Sequence, residues 1–333
     1  MDMTTKFMAL VVEKSADKQI SRSIRERAIA DLPPGELLVR VQYSSLNFKD
    51  ALSATGHPGV TRQFPHTPGI DAAGEVVSCD DGAFAPGEKV IVTSYDLGME
   101  TDGGYGQYIR IPSAWAVRLP DGLTLRESMA LGTAGFTAAL SVLKLERSGV
   151  RPCGGDILVT GATGGVGSIA VAILAQTGYR VVAASGKSAD AGLLRGLGAA
   201  ELISREEVST GAERAMLGER WSGAVDVVGG TTLAAVLKST KYGGTVTCCG
   251  LVGSPELPVN VYPFILRGVS LIGIDSVSCP REIREEVWKL LASGWKPAKL
   301  NDLVTECTLE GLEGQIQTIL QGGITGRVVV NLQ

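Results

Sequence analysis

Residues 156–176 read DILVTGATGGVGSIAVAILAQ and carry the pattern that decides the fold. The apolar run Ile157–Val159 is typical of a buried parallel strand, and residues 168–176 favour a helix. Between them, 161–167 contains four glycines, which permit a tight turn and a close approach to a pyrophosphate at the positive end of the helix dipole. The alternative is a glycine-rich turn with no ligand, but the full strand, turn and helix context favours dinucleotide binding.

The rest of the chain extends this unit into a sheet and adds a second region. With 333 residues the chain exceeds the usual single core, and its first part has short β-rich runs separated by proline and glycine turns. We therefore expect an α/β fold with a β-rich domain over 1–125, a dinucleotide-binding domain over 126–275, and a return over 276–333 that packs on the first domain. Six apolar runs fit a doubly wound parallel sheet; they are 156–160, 180–185, 201–203, 224–228, 244–249 and 269–274.

The composition points to a small-molecule partner. A formal net charge of −4 argues against a broad surface for nucleic acid or for a membrane. No apolar run reaches the roughly 18 residues of a membrane span, and the start lacks a secretory pattern, so we expect a cytoplasmic protein. The six cysteines are scattered, and His57 and His66 lack metal-ligand spacing, so no bound metal is expected.

The end of the second strand of the predicted sheet indicates which dinucleotide binds. An acidic residue at this place would bind the ribose 2′-hydroxyl of NAD, but the sequence reads Ser185, Gly186 and Lys187. Lys187 and Arg205, which follows the third strand, could instead face a 2′-phosphate. The alternative is that both are solvated loop charges. The missing acid and the added cations favour NADPH.

Four other segments carry a resemblance to a known family. They are 44–50 (SSLNFKD), 68–74 (PGIDAAG), 132–138 (GTAGFTA) and 263–269 (PFILRGV). Together with the mid-chain glycine turn, they resemble the medium-chain dehydrogenase/reductase superfamily, its zinc-free quinone oxidoreductase-like branch and the acryloyl-CoA reductase subgroup. The resemblance spans nearly the whole chain. It implies a GroES-like β-rich catalytic domain followed by a Rossmann domain with a doubly wound parallel sheet.

The resemblance also implies a reaction without zinc. Zinc alcohol dehydrogenases of the superfamily carry Gly-His-Glu in the segment matching 68–74 and a metal-binding cysteine upstream, whereas here Gly69 is followed by Ile70 and Asp71. Without a Lewis acid, hydride addition to an activated alkene is favoured over alcohol oxidation. The implied reaction is reduction of acryloyl-CoA to propionyl-CoA, with the NADPH hydride delivered to the β-carbon. A quinone reductase and a non-catalytic NADPH-binding protein remain alternatives.

Cofactor contacts and an assembly are implied by the same resemblance. Relatives of this type associate through the edge of the cofactor sheet, so a homodimer paired along 269–274 is expected. The cofactor residues carried over are Phe48 beside the nicotinamide; Thr163, Gly164, Gly165 and Val166 at the pyrophosphate; Ser185, Gly186, Lys187 and Arg205 at the 2′-phosphate; and Leu251, Ile265, Ser276 and Arg327.

Three polar residues are candidates for the catalytic site. Asn47 could stabilise oxyanion charge or only cap the following helix. Asp71 could orient Lys49 or a water that protonates the α-carbon, or it could be a buried acid paired for structural reasons. Arg327 could meet cofactor or thioester-linked phosphates, or be a solvated charge on an edge strand. Recognition of the CoA phosphates would need cations, for which Lys49, Arg62 and Arg118 are candidates.

Overall fold

The computed structural model describes residues 4–187 and 190–333, and the chain forms two compact units, Met1–Thr133 with Leu300–Gln333, and Ala134–Lys299. Both boundaries differ from those predicted at 125 and 275. The first falls inside helix α2 (Leu125–Arg147), between Thr133 and Ala134 and one residue after Gly132, where the backbone leaves helical geometry. The second falls at Lys299, because the helix after residue 280 stays with the second unit, where Trp288 stacks on Phe136.

Over its described residues, 4–133 and 300–333, the first unit contains two sheets and two α-helices besides the start of α2. Its strands are β1 (Lys6–Lys14), β2 (Ile20–Ala28), β3 (Leu37–Leu46), β4 (Asp71–Cys79), β5 (Lys89–Thr93), β6 (Tyr108–Ile111), β7 (Ala116–Arg118), β14 (Val304–Thr308) and β15 (Arg327–Asn331), and its helices are α1 (Phe48–Ala54) and α9 (Leu309–Leu320). β1 and β2 form an antiparallel pair. The larger sheet has the order β14-β15-β3-β4-β5-β7, with β6 paired to β3.

Strand pairing in this sheet places distant parts of the sequence at one edge. β15 runs antiparallel to β3 with Val329 opposite Ser45, and β4 runs antiparallel to both β3 and β5. The carboxyl end of β3 therefore lies beside the amino ends of β4 and β15. Apolar side chains of α9, such as Leu312 and Ile316, pack with the sheet residues into one core.

The second unit is a six-stranded parallel sheet with helices between the strands. Its strands are β8 (Ile157–Val159), β9 (Val181–Ser185), β10 (Glu201–Ser204), β11 (Trp221–Asp226), β12 (Thr240–Cys248) and β13 (Ser270–Gly273), and its further helices are α3 (Gly165–Gln176), α4 (Ala191–Gly196), α5 (Arg205–Ser209), α6 (Gly230–Ser239), α7 (Tyr262–Arg267) and α8 (Arg281–Leu291). The order β10-β9-β8-β11-β12-β13 is that of a doubly wound dinucleotide-binding sheet. The predicted fold class is confirmed, and each predicted strand matches an observed one to within a few residues.

The long apolar helix α2 is a core element. Among the described residues, it is the helix with the length and apolarity needed to cross a membrane, and 89% of its most apolar window is buried inside the protein. Such burial is typical of a core helix.

Candidate active site

The glycine turn has the geometry that a bound pyrophosphate requires. Gly161 adopts a positive φ of 56°, and a Cβ there would lie 2.5 Å from a methyl group of Val227. A Cβ on Gly167 would overlap the carbonyl oxygen of Gly161, so neither position accepts a side chain without movement. Gly165 begins the 12-residue helix α3, which places Thr163, Gly164 and Val166 at its amino end. Amide groups at such an end bind phosphate.

A buried carboxylate that the sequence reasoning missed holds the loop opposite this turn. Asp226, at the end of β11, accepts hydrogen bonds from Thr160 Oγ1 (2.7 Å) and from the backbone amide of Gly229 (2.7 Å). Burial raises its pKa. The chain that leaves β12 packs against the loop after Asp226, since a Cβ on Gly229 would lie 3.2 Å from the Cα of Leu251. Leu251 therefore lies at the same edge as the glycine turn.

The residues predicted for the 2′-phosphate lie together. Ser185 Oγ is 3.3 Å from Thr163 Oγ1 and accepts the backbone amide of Lys187 at 3.0 Å. Arg205 begins α5, and its Nη2 atom lies 2.6 Å from where a Cβ on Gly186 would be. The guanidinium thus lies directly against the Gly186 backbone. The strand end, the cation and the glycine turn form one continuous surface suited to the adenosine end of NADPH.

Two other predicted cofactor residues lie at opposite ends of the sheet. Ser276 follows the carboxyl end of β13, the edge that also carries the glycine turn. Ile265 lies on α7, where the neighbouring Arg267 donates to the carbonyls of Lys238 (2.9 Å) and Thr240 (3.3 Å) at the amino end of β12. Ile265 therefore lies near the amino end of β12, and its contact with the cofactor stays a prediction.

In the first unit, the three predicted catalytic residues belong to one buried polar cluster. Asp71 is fully buried, and its Oδ2 atom accepts hydrogen bonds from Ser45 Oγ (2.5 Å) and Asn47 Nδ2 (2.8 Å). The backbone amide and hydroxyl of Thr133 donate to the same carboxylate, the hydroxyl at 2.6 Å. Arg327 Nη2 lies 3.9 Å from Asp71 Oδ2. The Asp71 carboxylate is thus held by side chains at the end of β3, by Thr133 directly after the break in α2, and by the nearby guanidinium of Arg327.

Arg327 is an internal cation of this cluster. Its side chain is 3% exposed and donates to Ser45 Oγ (2.9 Å), to Asn47 Oδ1 (3.2 Å) and to the carbonyls of Leu46 and Ala130. Burial lowers its pKa, against the opposite effect of Asp71. The alternative of a solvated edge-strand charge is therefore wrong.

Asn47 caps the following helix and binds both carboxyl groups of the cluster, while a role in stabilising oxyanion charge stays a prediction. Its position precedes α1, and its backbone amide donates to Asp50 Oδ2 at 2.8 Å, as in a helix-capping box. Its side-chain Nδ2 donates to Asp50 and Asp71, so the amide hydrogens are directed at the two carboxylates. The next residue, Phe48, is 43% exposed and presents an aromatic side chain at the start of α1.

Two residues that were not chosen from the sequence complete the cluster. Asp50 is fully buried, accepts the backbone amide of Ile70 at 2.7 Å, and has its pKa raised to about 7 by burial and by the negative charge of Asp71. Tyr105 is also fully buried and donates to the carbonyl of Ser45 at 3.3 Å; burial raises its pKa.

Gly132 allows the cluster to close. Its φ of 54° interrupts α2, and a Cβ there would lie 2.5 Å from Asp71 Oδ2, 2.6 Å from Ser45 Oγ and 2.7 Å from Arg327 Nη2. Only glycine fits this position without displacing the cluster. Gly132 and Thr133 are the first two residues of the segment GTAGFTA. That segment was recognised as a family motif, but neither residue was predicted to belong to the catalytic site.

The cluster does not fit a metal ion. Among the described residues, no three of His, Cys, Asp and Glu come together as ligands. The Asp71 carboxylate is taken by hydroxyl, amide and guanidinium donors instead. Of the cations considered for CoA, Arg62 pairs with Glu100 and Arg118 with Glu88.

Comparison with known proteins identifies the family of both units. Residues 33–121 match the alcohol dehydrogenase GroES-like domain, and residues 165–293 match the zinc-binding dehydrogenase family. The acrylyl-CoA reductase AcuI of Ruegeria pomeroyi is 44% identical over 98% of this chain and 99% of its own length.

Solved structures agree with this match. Bacillus subtilis protein YhfP, determined with NAD bound, is 50% identical with a TM-score of 0.96, and the alignment covers 98% of this chain and all of that one. The yhdH oxidoreductase of Salmonella enterica, determined in complex with NADP, is 41% identical with a TM-score of 0.95 and the same coverage. The chain therefore belongs to the medium-chain dehydrogenase/reductase superfamily, in its zinc-free, quinone oxidoreductase-like branch.

Proposed function

We propose that this oxidoreductase reduces a short α,β-unsaturated acyl-CoA with NADPH, acryloyl-CoA first. The observation that carries the proposal is the 44% identity to AcuI over nearly the full length of both chains. Among the described residues, Asp71 and its neighbours do not form a group of three potential metal ligands, and this supports the proposal because alkene reduction needs enolate stabilisation and no metal-bound alkoxide.

The second unit would hold the cofactor. The amides at the start of α3 bind the pyrophosphate, and Arg205 pairs with the 2′-phosphate beside Ser185 and Gly186. When bound, NADPH supplies the hydride that the β-carbon accepts. Phe48, Lys187, Leu251, Ser276 and Arg327 stay predictions as further contacts. YhfP was determined with NAD, so affinity for both dinucleotides has to be compared directly.

Asn47, Asp71 and Arg327 would act as one group. The cluster fixes the end of β3 and the start of α1, and the Arg327 guanidinium provides a positive potential that favours negative charge developing on the thioester oxygen. Asp71→Asn keeps the shape and removes the charge. Its turnover should fall while its NADPH affinity stays unchanged; unchanged turnover would remove Asp71 from the catalytic group.

The deciding experiment follows NADPH oxidation by absorbance with acryloyl-CoA, crotonyl-CoA and a benzoquinone as separate acceptors. The proposal predicts saturable turnover with acryloyl-CoA, and a higher kcat/KM than with either other acceptor. Preference for the benzoquinone would make the protein a quinone reductase. NADPH binding with no turnover of any acceptor would make it a binding protein.

A homodimer is part of this proposal. Among the strands of the described residues, β13 is at the edge of the parallel sheet, so no strand pairs with the outer side of its backbone. The segment just before it exposes four large apolar side chains: Val261, Tyr262, Ile265 and Leu266. An exposed apolar surface beside an open strand edge suits pairing of two copies about a two-fold axis.

A further inference from the structure

The second unit contains a buried arginine that the proposed function does not use. Arg284, on α8, is 1% exposed, and its guanidinium lies 4.9 Å from the centre of the Phe136 ring. Phe136 in turn stacks on Trp288, one turn further along α8. Burying a guanidinium is unfavourable unless it holds specific partners, so the partners of Arg284 indicate what it does.

Arg284 holds the backbone that leaves the edge strand β13. Its Nη2 atom donates to the carbonyl of Ser276 at 2.8 Å and to that of Val277 at 3.2 Å. From the other side, the Asp275 carboxylate accepts the backbone amide of Val277 at 2.8 Å. The backbone amide of Ile274 donates to the carbonyl of Cys248 at 2.9 Å. The segment 274–277 is thus fixed by a buried cation, a turn carboxylate and the neighbouring strand.

The order of the sheet places this segment at one end of a bound dinucleotide. Parallel strands share a carboxyl edge, and Arg205 lies beyond β9 and β10 on one side of the glycine turn. β11, β12 and β13 lie on the other side. A dinucleotide with its 2′-phosphate at Arg205 and its pyrophosphate at the turn therefore extends its nicotinamide half towards β13 and Ser276.

We infer that Arg284 is a positioning residue for the nicotinamide half of the cofactor. By holding the carbonyls of Ser276 and Val277, it sets the path of the backbone that this half meets, without touching the cofactor itself. The planar guanidinium suits the task, because one nitrogen reaches both carbonyls while the ring of Phe136 supports its face. The inference rests on the proposed NADPH site.

The test compares binding of a whole and a half cofactor to the full chain. Arg284→Met removes the donor and keeps much of the side-chain volume. The Kd of NADPH should rise about tenfold, as for a lost charged hydrogen bond, while the Kd of adenosine 2′,5′-bisphosphate stays unchanged. Arg284→Lys should show a smaller loss for NADPH alone. Arg281→Met, an exposed arginine on the same helix paired with Glu285, is the matched control and should change neither Kd.

The half cofactor also reports whether the variant is folded. Equal weakening of both ligands would show a general effect on the fold and overturn the positioning role, as would NADPH affinity that is unchanged in both Arg284 variants. If Arg284→Met binds neither ligand, Arg284→Lys decides between these results. A wild-type chain that binds neither ligand would overturn the NADPH site itself, and this inference with it.

Discussion

The polar cluster of the first unit places one guanidinium, two carboxyl groups and a phenol out of contact with water. Asp71, Asp50, Arg327 and Tyr105 are each at most 3% exposed. Such groups are stable in a protein interior only when their hydrogen bonds are satisfied, and removing one partner is more damaging than the pair is stabilising. The cluster is therefore sensitive to single substitutions and to pH.

The raised pKa of Asp50 predicts how stability depends on pH. The folded chain holds a proton on Asp50 up to about pH 7, whereas the ordinary pKa of the group is 3.8. Because the folded state binds more protons between these values, this contribution favours folding at low pH and is lost as the pH rises. Between about pH 5 and about pH 8, wild type should lose about 3 kcal/mol of unfolding free energy relative to Asp50→Asn.

Urea unfolding of both proteins at each pH checks this expectation. Other titrating groups are common to wild type and variant, so their effects cancel in the difference. A difference that stays constant over the range would mean that Asp50 is ionised throughout.

Arg205 is predicted to set the choice of cofactor. Arg205→Ser should raise the Kd of NADPH by about tenfold or more, because a charged hydrogen bond to phosphate is lost, and leave the Kd of NADH nearly unchanged. Fluorescence titration with both dinucleotides measures this. Arg195→Ser, an exposed arginine on the preceding helix α4, is the control. Equal effects on both dinucleotides would remove Arg205 from the 2′-phosphate site.

Site residues could be chosen from the sequence where a local motif carries them. Asn47, Asp71 and Arg327 lie in or after recognisable segments, and the structure brings them together. Ser45 and Thr133 were not chosen, because their role depends on the register of β3 with β15 and on the break in α2. Sequence alone does not show where the crossover before β13 ends, so the position of Ile265 near the amino end of β12 was not predicted, and its role at the cofactor stays a prediction.

Among the secondary-structure elements, α2 carries the most specific requirement. Gly132 lies in a backbone region that is almost restricted to glycine, with φ 54° and ψ −159°, and its Cα faces the polar cluster. Gly149, just beyond the end of the same helix, also has a positive φ, of 90°, but a Cβ there would meet no atom within 4 Å. The two glycines therefore compare a position where a Cβ overlaps other atoms with one where it meets none, both at positive φ.

Gly132→Ala should destabilise the protein by at least about 2 kcal/mol more than Gly149→Ala, because only the first forces Asp71, Ser45 and Arg327 apart. Denaturant unfolding of the two variants gives the comparison, and turnover should fall only for Gly132→Ala. Equal destabilisation would show that the cluster adapts to a methyl group, and that its geometry is less restricted than the contacts indicate.

The elements that sequence predicted are those with a strong apolar period. β8 to β13 are apolar runs between helices, and each of them was predicted. β14, with the sequence VTECT, was missed because its burial does not alternate, and β2 was missed because it is largely polar and has no fully buried residue. Both strands are held by pairing with β15 and β1 rather than by their own pattern.

At the scale of the whole molecule, the proposed homodimer predicts an effect of charge on the apolar segment before β13. Leu266 is 62% exposed, so Leu266→Glu should fold normally while placing a charge in the interface. Sedimentation velocity should show a dimer for wild type and a shift towards monomer for the variant. Met8→Glu, at an exposed apolar residue of the first unit, should remain dimeric. A wild-type monomer would contradict the proposed assembly.

The chemical direction of the reaction is the central claim, and isotope tracing tests it most directly. The protein would be incubated with acryloyl-CoA and NADPH that carries deuterium at its transferable position, and the product analysed by NMR and mass spectrometry. The account predicts propionyl-CoA with one deuterium on the β-carbon and a solvent proton on the α-carbon. Deuterium on the α-carbon, or oxidation of the cofactor without propionyl-CoA, would contradict it.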